Sequence, residues 1–342
     1  MVSTVNTHKT EEIDDIIIIG SGPTGLFASF YSGMREMKTK IIEAHTELGG
    51  QPIVLYPEKY VYDMAGFPKI LAKNLVKELV DQAAQFNPYI CLEEQVEKLE
   101  KLENGIFKLI TNKNIHYTKT VLITGGIGAV VPKKLNIEDL ERFEGKGVDY
   151  LVRDKEIFRD KKVLIIGGGD SAADWAIEFS KISKELTLIH RRDIFRAHEN
   201  SISKIYESDI NIKLFTELKG ITGEDKITKV KLINNKTQIE EEIEIDLILV
   251  QVGYKAILGP IKEWGLEMKG RSVIVNNKME TNIEGVYAAG DIALDDFNLN
   301  LLVTCVSQGA IAVNWIKNRI DPKSRVLPGH SSEKGLPQKK IN

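Results

Sequence analysis

The chain has 342 residues, 42% hydrophobic and 28% charged, with 46 basic against 49 acidic side chains and a net charge of −3. That is about two domains of ordinary globular sequence, and the slight acidity argues against nucleic acid as a partner. No apolar run approaches the roughly 18 residues that cross a bilayer. Residues 1–12 are polar and lack the apolar segment of a secretory signal. Cys91 and Cys305 are the two cysteines. They exclude a disulfide framework, a four-cysteine metal site and a CxxC pair, and both are expected as buried packing residues in a reducing cytoplasm. No metal site and no membrane partner are expected.

Along the chain, 16–19 reads as a short buried strand. Gly20-Ser-Gly-Pro-Thr-Gly25 follows, then a helical stretch 26–31 and a second strand 39–43. In this context Gly20-x-Gly22-x-x-Gly25 is a dinucleotide fingerprint. Gly20 permits the tight turn, Gly22 lets a pyrophosphate approach the backbone, and Gly25 lets helix and strand pack closely. The pyrophosphate would rest on the helix N-terminus, where free N–H groups and the dipole favour an anion. Glu43 ends the second strand, where a carboxylate can accept from both ribose hydroxyls. Residues 71–86 have the spacing of an amphipathic helix. Residues 96–111 read as a strand pair around Glu103-Asn-Gly105, and 121–124 as a buried strand ending at Gly125-Gly126.

The unit then repeats. A strand at 163–166 leads into Gly167-Gly-Gly-Asp-Ser-Ala172, a helix at 172–179 and a strand at 185–190. Gly167-x-Gly169-x-x-Ala172 is the variant ending in alanine, with Asp170 and Ser171 inside the candidate nucleotide loop. No acid follows the second strand. His190-Arg191-Arg192-Asp193 stands there, with Arg196 close behind. A charge run ordinarily just solvates a turn, but Arg191 falls in the slot for ribose recognition. Arginines there would pair bidentately with a 2′-phosphate that a carboxylate would repel, so NADP(H) is expected over NAD(H). Residues 227–233 and 239–245 read as a hairpin around Asn234-Asn235, and 246–252 as an apolar strand ending at Gly253. The strand 285–291 ends in Gly290-Asp291. In a chain with two dinucleotide folds, that pair places a carboxylate by the first nucleotide and lets the backbone approach a flavin ribityl chain, which points to FAD. Residues 321–342 read as an irregular, partly mobile tail. The repeated β-turn-α-β unit makes the chain α/β, with two Rossmann-like dinucleotide-binding domains.

Gly20-Ser-Gly-Pro-Thr-Gly25, Leu48-Gly-Gly-Gln51, Gly167-Gly-Gly-Asp-Ser-Ala172, His190-Arg-Arg-Asp-Ile-Phe-Arg196 and Ala289-Gly-Asp291 together resemble the thioredoxin reductase-like flavoproteins. Tyr56-Pro-Glu-Lys-Tyr-Val-Tyr-Asp63 with Ala65-Gly-Phe-Pro68, Leu258-Gly-Pro-Ile-Lys-Glu-Trp264-Gly265 and Met279-Glu-Thr-Asn282 resemble the ferredoxin–NADP⁺ reductase branch. The resemblance covers roughly 16–332. It implies a discontinuous FAD domain, 1–125 with 252–342, and an NADPH domain, 126–251. It also implies a homodimer. By similarity, FAD contacts fall on Thr24, Glu43, Gln51, Tyr56, Val96, Val130, Asp291 and Ser332, although the branch often has an aromatic residue where Val130 stands. The same resemblance makes Tyr56 and His330 the groups that stack on the flavin faces, and Ser331 a hydrogen-bonding group near the flavin N5. His330-Ser331-Ser332 would then complete the partner subunit's site.

One departure bears on the reaction. Where thioredoxin reductases carry a CxxC pair, this chain has Tyr150-Leu-Val-Arg-Asp154, and neither Tyr150 nor Arg153 can exchange disulfides, which needs a thiolate. The expected activity is electron transfer between NADPH and ferredoxin or flavodoxin through FAD. The alternatives are other acceptor classes for an NADPH-dependent flavoprotein: a disulfide reductase-like enzyme, which the missing CxxC opposes, an oxidase, or a redox sensor.

Overall fold

A computed structural model describes residues 12–296 and 299–329. The chain forms two compact units. One runs to Ala129 and resumes at Ala256; the other is continuous, Val130–Lys255. Both crossings fall four residues beyond the breaks expected after 125 and 251.

The first unit is built on a strand, Ile13–Ile19, whose Ile16, Ile17 and Ile18 are wholly buried. A run apolar on both faces suits a parallel sheet covered on both sides. Each such isoleucine contributes about 2 kcal/mol by leaving water. The strand pairs in parallel with Thr39–Ile42 on one side and Ile115–Ile123 on the other. Tyr89–Cys91 extends the sheet beyond Thr39–Ile42. Val286–Ala288 joins the far half of Ile115–Ile123 in parallel, through Val121, Leu122 and Ile123. The near half carries the antiparallel strands Phe107–Thr111 and Val96–Lys101, which are the expected pair around Asn104-Gly105. Helix Pro23–Met34 opens with proline at its first position, where the missing N–H costs nothing. Helix Ala72–Ala84, close to the expected 71–86, buries Ala72, Leu75, Val76, Leu79 and Ala83 at helical spacing. A 19-residue helix, Leu302–Ile320, was not expected; it buries Cys305, Gln308, Gly309, Ala312, Val313 and Ile316. Its start is fixed by Asp63, whose Oδ2 accepts from Leu302 N at 2.8 Å.

The second unit has a parallel sheet in the order Val148–Asp149, Leu247–Gln251, Lys162–Gly167, Glu185–His190, Asn211–Leu214. Helix Asp170–Phe179 packs against it through Ala172, Trp175, Ala176 and Phe179, and Phe179 stacks on Phe158 at 4.2 Å. A separate antiparallel sheet consists of Thr216–Gly223, Ile227–Asn234 and Glu240–Glu244. Its second hairpin is the one expected around Asn234-Asn235. Helix Glu199–Tyr206 was not anticipated.

In each unit the first strand of the glycine motif lies between two parallel partners reached by connections on opposite sides. Such a switch point opens a crevice at the carboxyl ends of the strands. It falls after Ile19 in the first unit and after Gly167 in the second.

Candidate functional site

The two crevices hold the two glycine loops. At Gly20, φ is +102°, and a Cβ would lie 2.8 Å from Thr124 O. At Gly25 a Cβ would lie 2.1 Å from Gly20 O. Both positions exclude a side chain because backbone packs on backbone. Gly22 is different, with nothing within 4 Å of a would-be Cβ. That open face at the N-terminus of helix Pro23–Met34 is where a pyrophosphate can reach the backbone.

Glu43 follows the strand Thr39–Ile42 and is 5% exposed. Its Oε2 accepts from Ser21 N (2.8 Å) and Ser21 Oγ (2.6 Å), and its Oε1 from His45 N (2.9 Å). The carboxylate therefore fixes the glycine loop from the end of the second strand, the place expected for ribose recognition. Each carboxylate oxygen can take more than one donor, so acceptor capacity for a ribose hydroxyl remains.

Three further pieces meet this loop. Gln51 starts the helix Gln51–Leu55, and its Nε2 lies 3.4 Å from Asp291 Oδ2. Gly290 has φ +80°; its N–H donates to Gln308 Oε1 at 2.8 Å, and a Cβ there would meet Thr24 Oγ1 at 2.8 Å. Tyr56 ends the short helix, half-buried, beside Asp291, Asp63 and Cys305. Burial, and then the carboxylates of Asp291 and Asp63, push its phenol up to about 12, so it stays neutral. Gly20, Gly22, Thr24, Gly25, Glu43, Gln51, Tyr56, Gly290 and Asp291 are thus brought together in one unit. The glycine bed open at Gly22, with a carboxylate at the ribose position, fits the adenosine diphosphate part of FAD.

The other candidates stand apart. Val96 has its side chain in the main core; it lies two residues past Glu94, whose N–H donates to Glu43 O at 2.9 Å. Val130 falls in the second unit, in the strand Ala129–Pro132. His330, Ser331 and Ser332 lie outside the described residues. Ser21, Asp63 and Gln308 take part without having been expected. Cys305 is buried as expected, but its Sγ lies 3.6 Å from Asp291 Oδ1.

In the second unit, Gly167 backs onto Gln251 O and Ala172, which explains why alanine serves as the last residue of this motif: a Cβ on Gly167 would lie 2.9 Å from that of Ala172. Gly168 supports the His190 ring, 2.2 Å from a would-be Cβ, and Gly169 is open. Asp170 accepts from His198 N at 2.8 Å, so its carboxylate ties down the segment after the basic turn. Ser171 is half-buried in the first turn of the helix. His190 stacks on Phe195 at 5.3 Å and donates from Nε2 to Ile194 O at 3.2 Å. Burial, reinforced by the three arginines, holds its pKa below the ordinary value, so the ring is neutral at pH 7. Arg191, Arg192 and Arg196 are exposed, and among the described residues none has a carboxylate partner. Their guanidinium groups are free to grip a phosphate.

No dithiol lies in either unit. Tyr150 is 9% exposed and donates to Glu144 Oε1 at 2.9 Å, while Gln251 Nε2 and Tyr254 Oη both donate to its carbonyl. Both cysteines are free, and burial followed by neighbouring carboxylates pushes each thiol up to about 12. Cys91, Glu94 and His116 form a buried group with ligand-type atoms within 4.8 Å of one another. The His116 nitrogens there already face Glu94 Oε1 (2.7 Å) and the Lys40 ammonium (3.2 Å), a cation where a metal would need a free ligand. Among the described residues no helix is long and apolar enough to cross a membrane.

The sequence profile of the family described as "Pyridine nucleotide-disulphide oxidoreductase" matches residues 14–309. The chain is 49% identical to Ferredoxin--NADP reductase 2 of Shouchella clausii, covering 95% of this chain and 99% of that one. It is 48% identical to Ferredoxin--NADP reductase 2 of Bacillus subtilis, covering 95% and 98%. Among solved structures, it resembles the thioredoxin reductase of Lactococcus lactis in its FR conformation, with 29% identity, a TM-score of 0.70 and coverage of 89% and 97%. It also resembles the thioredoxin reductase of T. acidophilum, with 27% identity, a TM-score of 0.72 and coverage of 91% and 99%. With the family profile matching residues 14–309 and relatives 48–49% identical over 95% of its length, the chain belongs to the pyridine nucleotide-disulphide oxidoreductases, as a member of their ferredoxin–NADP reductase branch.

Proposed function

We propose that this protein carries electrons between NADPH and ferredoxin, or flavodoxin, through FAD, as a cytoplasmic homodimer. The observation that carries the nucleotide half is the turn with three unpaired, exposed arginines at the end of the strand Glu185–His190. A 2′-phosphate is the group such a turn recognises, and NADH lacks it. The names of the relatives at 46–49% identity support the acceptor half, and the absence of any dithiol removes the competing disulfide chemistry.

When bound, FAD supplies the exchange between a two-electron hydride donor and a one-electron acceptor. The chain's own residues bind and orient. The open backbone at Gly22 and the helix N-terminus behind it hold the pyrophosphate, and Glu43 accepts from the ribose. Gly290 brings its backbone close, while Asp291 and Gln51 line the same crevice. The neutral Tyr56 ring would cover one flavin face; by similarity, His330 of the partner subunit would cover the other, with Ser331 as a hydrogen-bonding group near the flavin N5 and Ser332 as a further FAD contact. In the second unit, the open backbone at Gly169 leaves room for the NADPH pyrophosphate on helix Asp170–Phe179.

The test is anaerobic turnover of the purified protein with NADPH or NADH. Ferredoxin-coupled cytochrome c reduction is compared with disulfide reduction. Ferredoxin-dependent turnover that prefers NADPH is expected. Arg191→Ala should raise KM for NADPH by roughly 10- to 100-fold, the loss of a charge-assisted pair. Flavin reduction to which ferredoxin adds nothing would defeat the acceptor assignment.

A further inference from the structure

We infer that Asn235, on a hairpin turn of the second unit's antiparallel sheet, positions the arginine turn and so sets the preference for a 2′-phosphorylated nucleotide. This rests on the nucleotide reading above. Two asparagines stand side by side at the end of strand Ile227–Asn234, and they do different work. Asn234 makes the turn: its Oδ1 accepts from Lys236 N and Thr237 N, both at 3.0 Å. That is the ordinary local role of the residue type. Asn235 reaches away from the turn. Its Nδ2 donates to Arg191 O at 2.9 Å, a contact 44 positions away, and to Glu217 Oε1 at 2.9 Å. Glu217 thereby fixes the amide so that its NH₂ faces the arginine turn.

The next carbonyl is taken too. Phe215 N donates to Arg192 O at 3.3 Å, and Asn235 N donates to Phe215 O at 2.7 Å. Phe215 has φ +54°, a conformation that a bulky residue holds only where its surroundings require it. The Lys236 ammonium lies 3.5 Å from the centroid of its ring. On the other flank, Arg196 N donates to Gly168 O at 2.6 Å, which fastens the basic segment to the glycine loop. The segment is therefore held at both ends through its main chain. The guanidinium groups of Arg191, Arg192 and Arg196 are not spent on that fastening.

An arginine must give up rotamer freedom to grip a phosphate, and a backbone already held reduces the total cost of ordering. A turn of this kind would fold without Asn235, since Asn234 closes it. The Asn235 side chain bonds instead to the arginine turn, and the 2′-phosphate is the part of the nucleotide that such positioning affects.

The test uses the flavin-loaded protein, with Asn235→Ala and Asn235→Asp, neither of which can donate to Arg191 O. Dissociation constants are measured by calorimetry for adenosine 2′,5′-bisphosphate, NADPH and NADH, alongside kcat with NADPH. Arg191→Ala is run in parallel. The expected result is binding of the bisphosphate and NADPH about fivefold weaker, the equivalent of one net hydrogen bond of about 1 kcal/mol. NADH binding and kcat at saturation should not change. If Asn235→Ala weakens NADH as much as NADPH, Asn235 is merely structural and the inference is overturned. It also fails if Arg191→Ala weakens bisphosphate binding while both Asn235 variants bind it as tightly as wild type. If Arg191→Ala itself leaves bisphosphate binding intact, the nucleotide reading falls first and the inference with it.

Discussion

Glu43 ought to matter even with no nucleotide present. Its carboxylate, 5% exposed, holds the Ser21 N–H at 2.8 Å, the Ser21 hydroxyl at 2.6 Å and the His45 N–H at 2.9 Å. Glu43→Ala leaves the Ser21 N–H without a partner in a residue that has no exposure at all. An orphaned buried donor costs about 1–3 kcal/mol, and the lost burial of one methylene adds about 0.8 kcal/mol. His45 is exposed, so water can satisfy its N–H. The expected loss is about 3 kcal/mol, large beside a typical domain stability of about 5–15 kcal/mol. Glu43→Gln keeps an oxygen for Ser21 but turns an NH₂ toward His45 N, and should lose only about 1 kcal/mol. Urea unfolding of flavin-stripped protein, with the 450 nm absorbance of the purified variants, checks both. If Glu43→Ala unfolds at the wild-type urea midpoint and retains a full complement of flavin, the account of the glycine loop is wrong.

Gly168→Ala would place a methyl group 2.2 Å from the His190 ring and force it off Phe195; NADPH binding should weaken about tenfold by fluorescence titration while flavin content stays normal. With both thiols pushed up to about 12, native protein at pH 8 should show no fast-reacting thiol toward Ellman's reagent, and both should appear in guanidinium. Glu94 sits where burial would raise its pKa, but donors from Thr111, His116 and Asn114 outweigh that and hold it below 4.5. Its contribution is therefore complete above pH 4.5 and lost as pH falls through the lower folded value. Unfolding free energy should drop on acidification through that window, and less steeply in Glu94→Gln.

The fold was legible where chemistry is local. Four isoleucines in a row before a glycine spacing announce a buried parallel strand, and a similar apolar run recurs at 163–166. Helix Leu302–Ile320 escaped although its buried positions 305, 309, 312 and 316 keep helical spacing. Gln308, Gly309 and Asn314 break the apolar stripe, and Gln308 is polar because it serves Gly290. The resemblance implies a unit boundary between Gly125 and Gly126. Gly128 nonetheless packs on Ile257, leaving a Cβ only 2.3 Å from its carbonyl, so the first unit extends beyond the pair. That Glu43 follows the second strand of the glycine motif could be read from spacing. Its bonds to Ser21, 22 residues earlier, could not, because tertiary contact alone decides which donors reach a carboxylate. Asn235 read only as a turn residue for the same reason.

The strand Val286–Ala288 pairs with Val121–Ile123, and everything between 130 and 255 is a separate unit. On the ribosome, then, the edge at Val121–Ile123 emerges long before its partner does. At about 5–20 residues per second, that edge waits roughly ten to thirty seconds. An unpaired strand edge is a template for other chains over that interval. The inserted unit has all its strands in one continuous stretch and can close while the first waits. Thr24 is made long before Gly290 and Gly309, which pack beside it. The nucleotide loop becomes a finished cradle only after the segments that follow the inserted unit have been made.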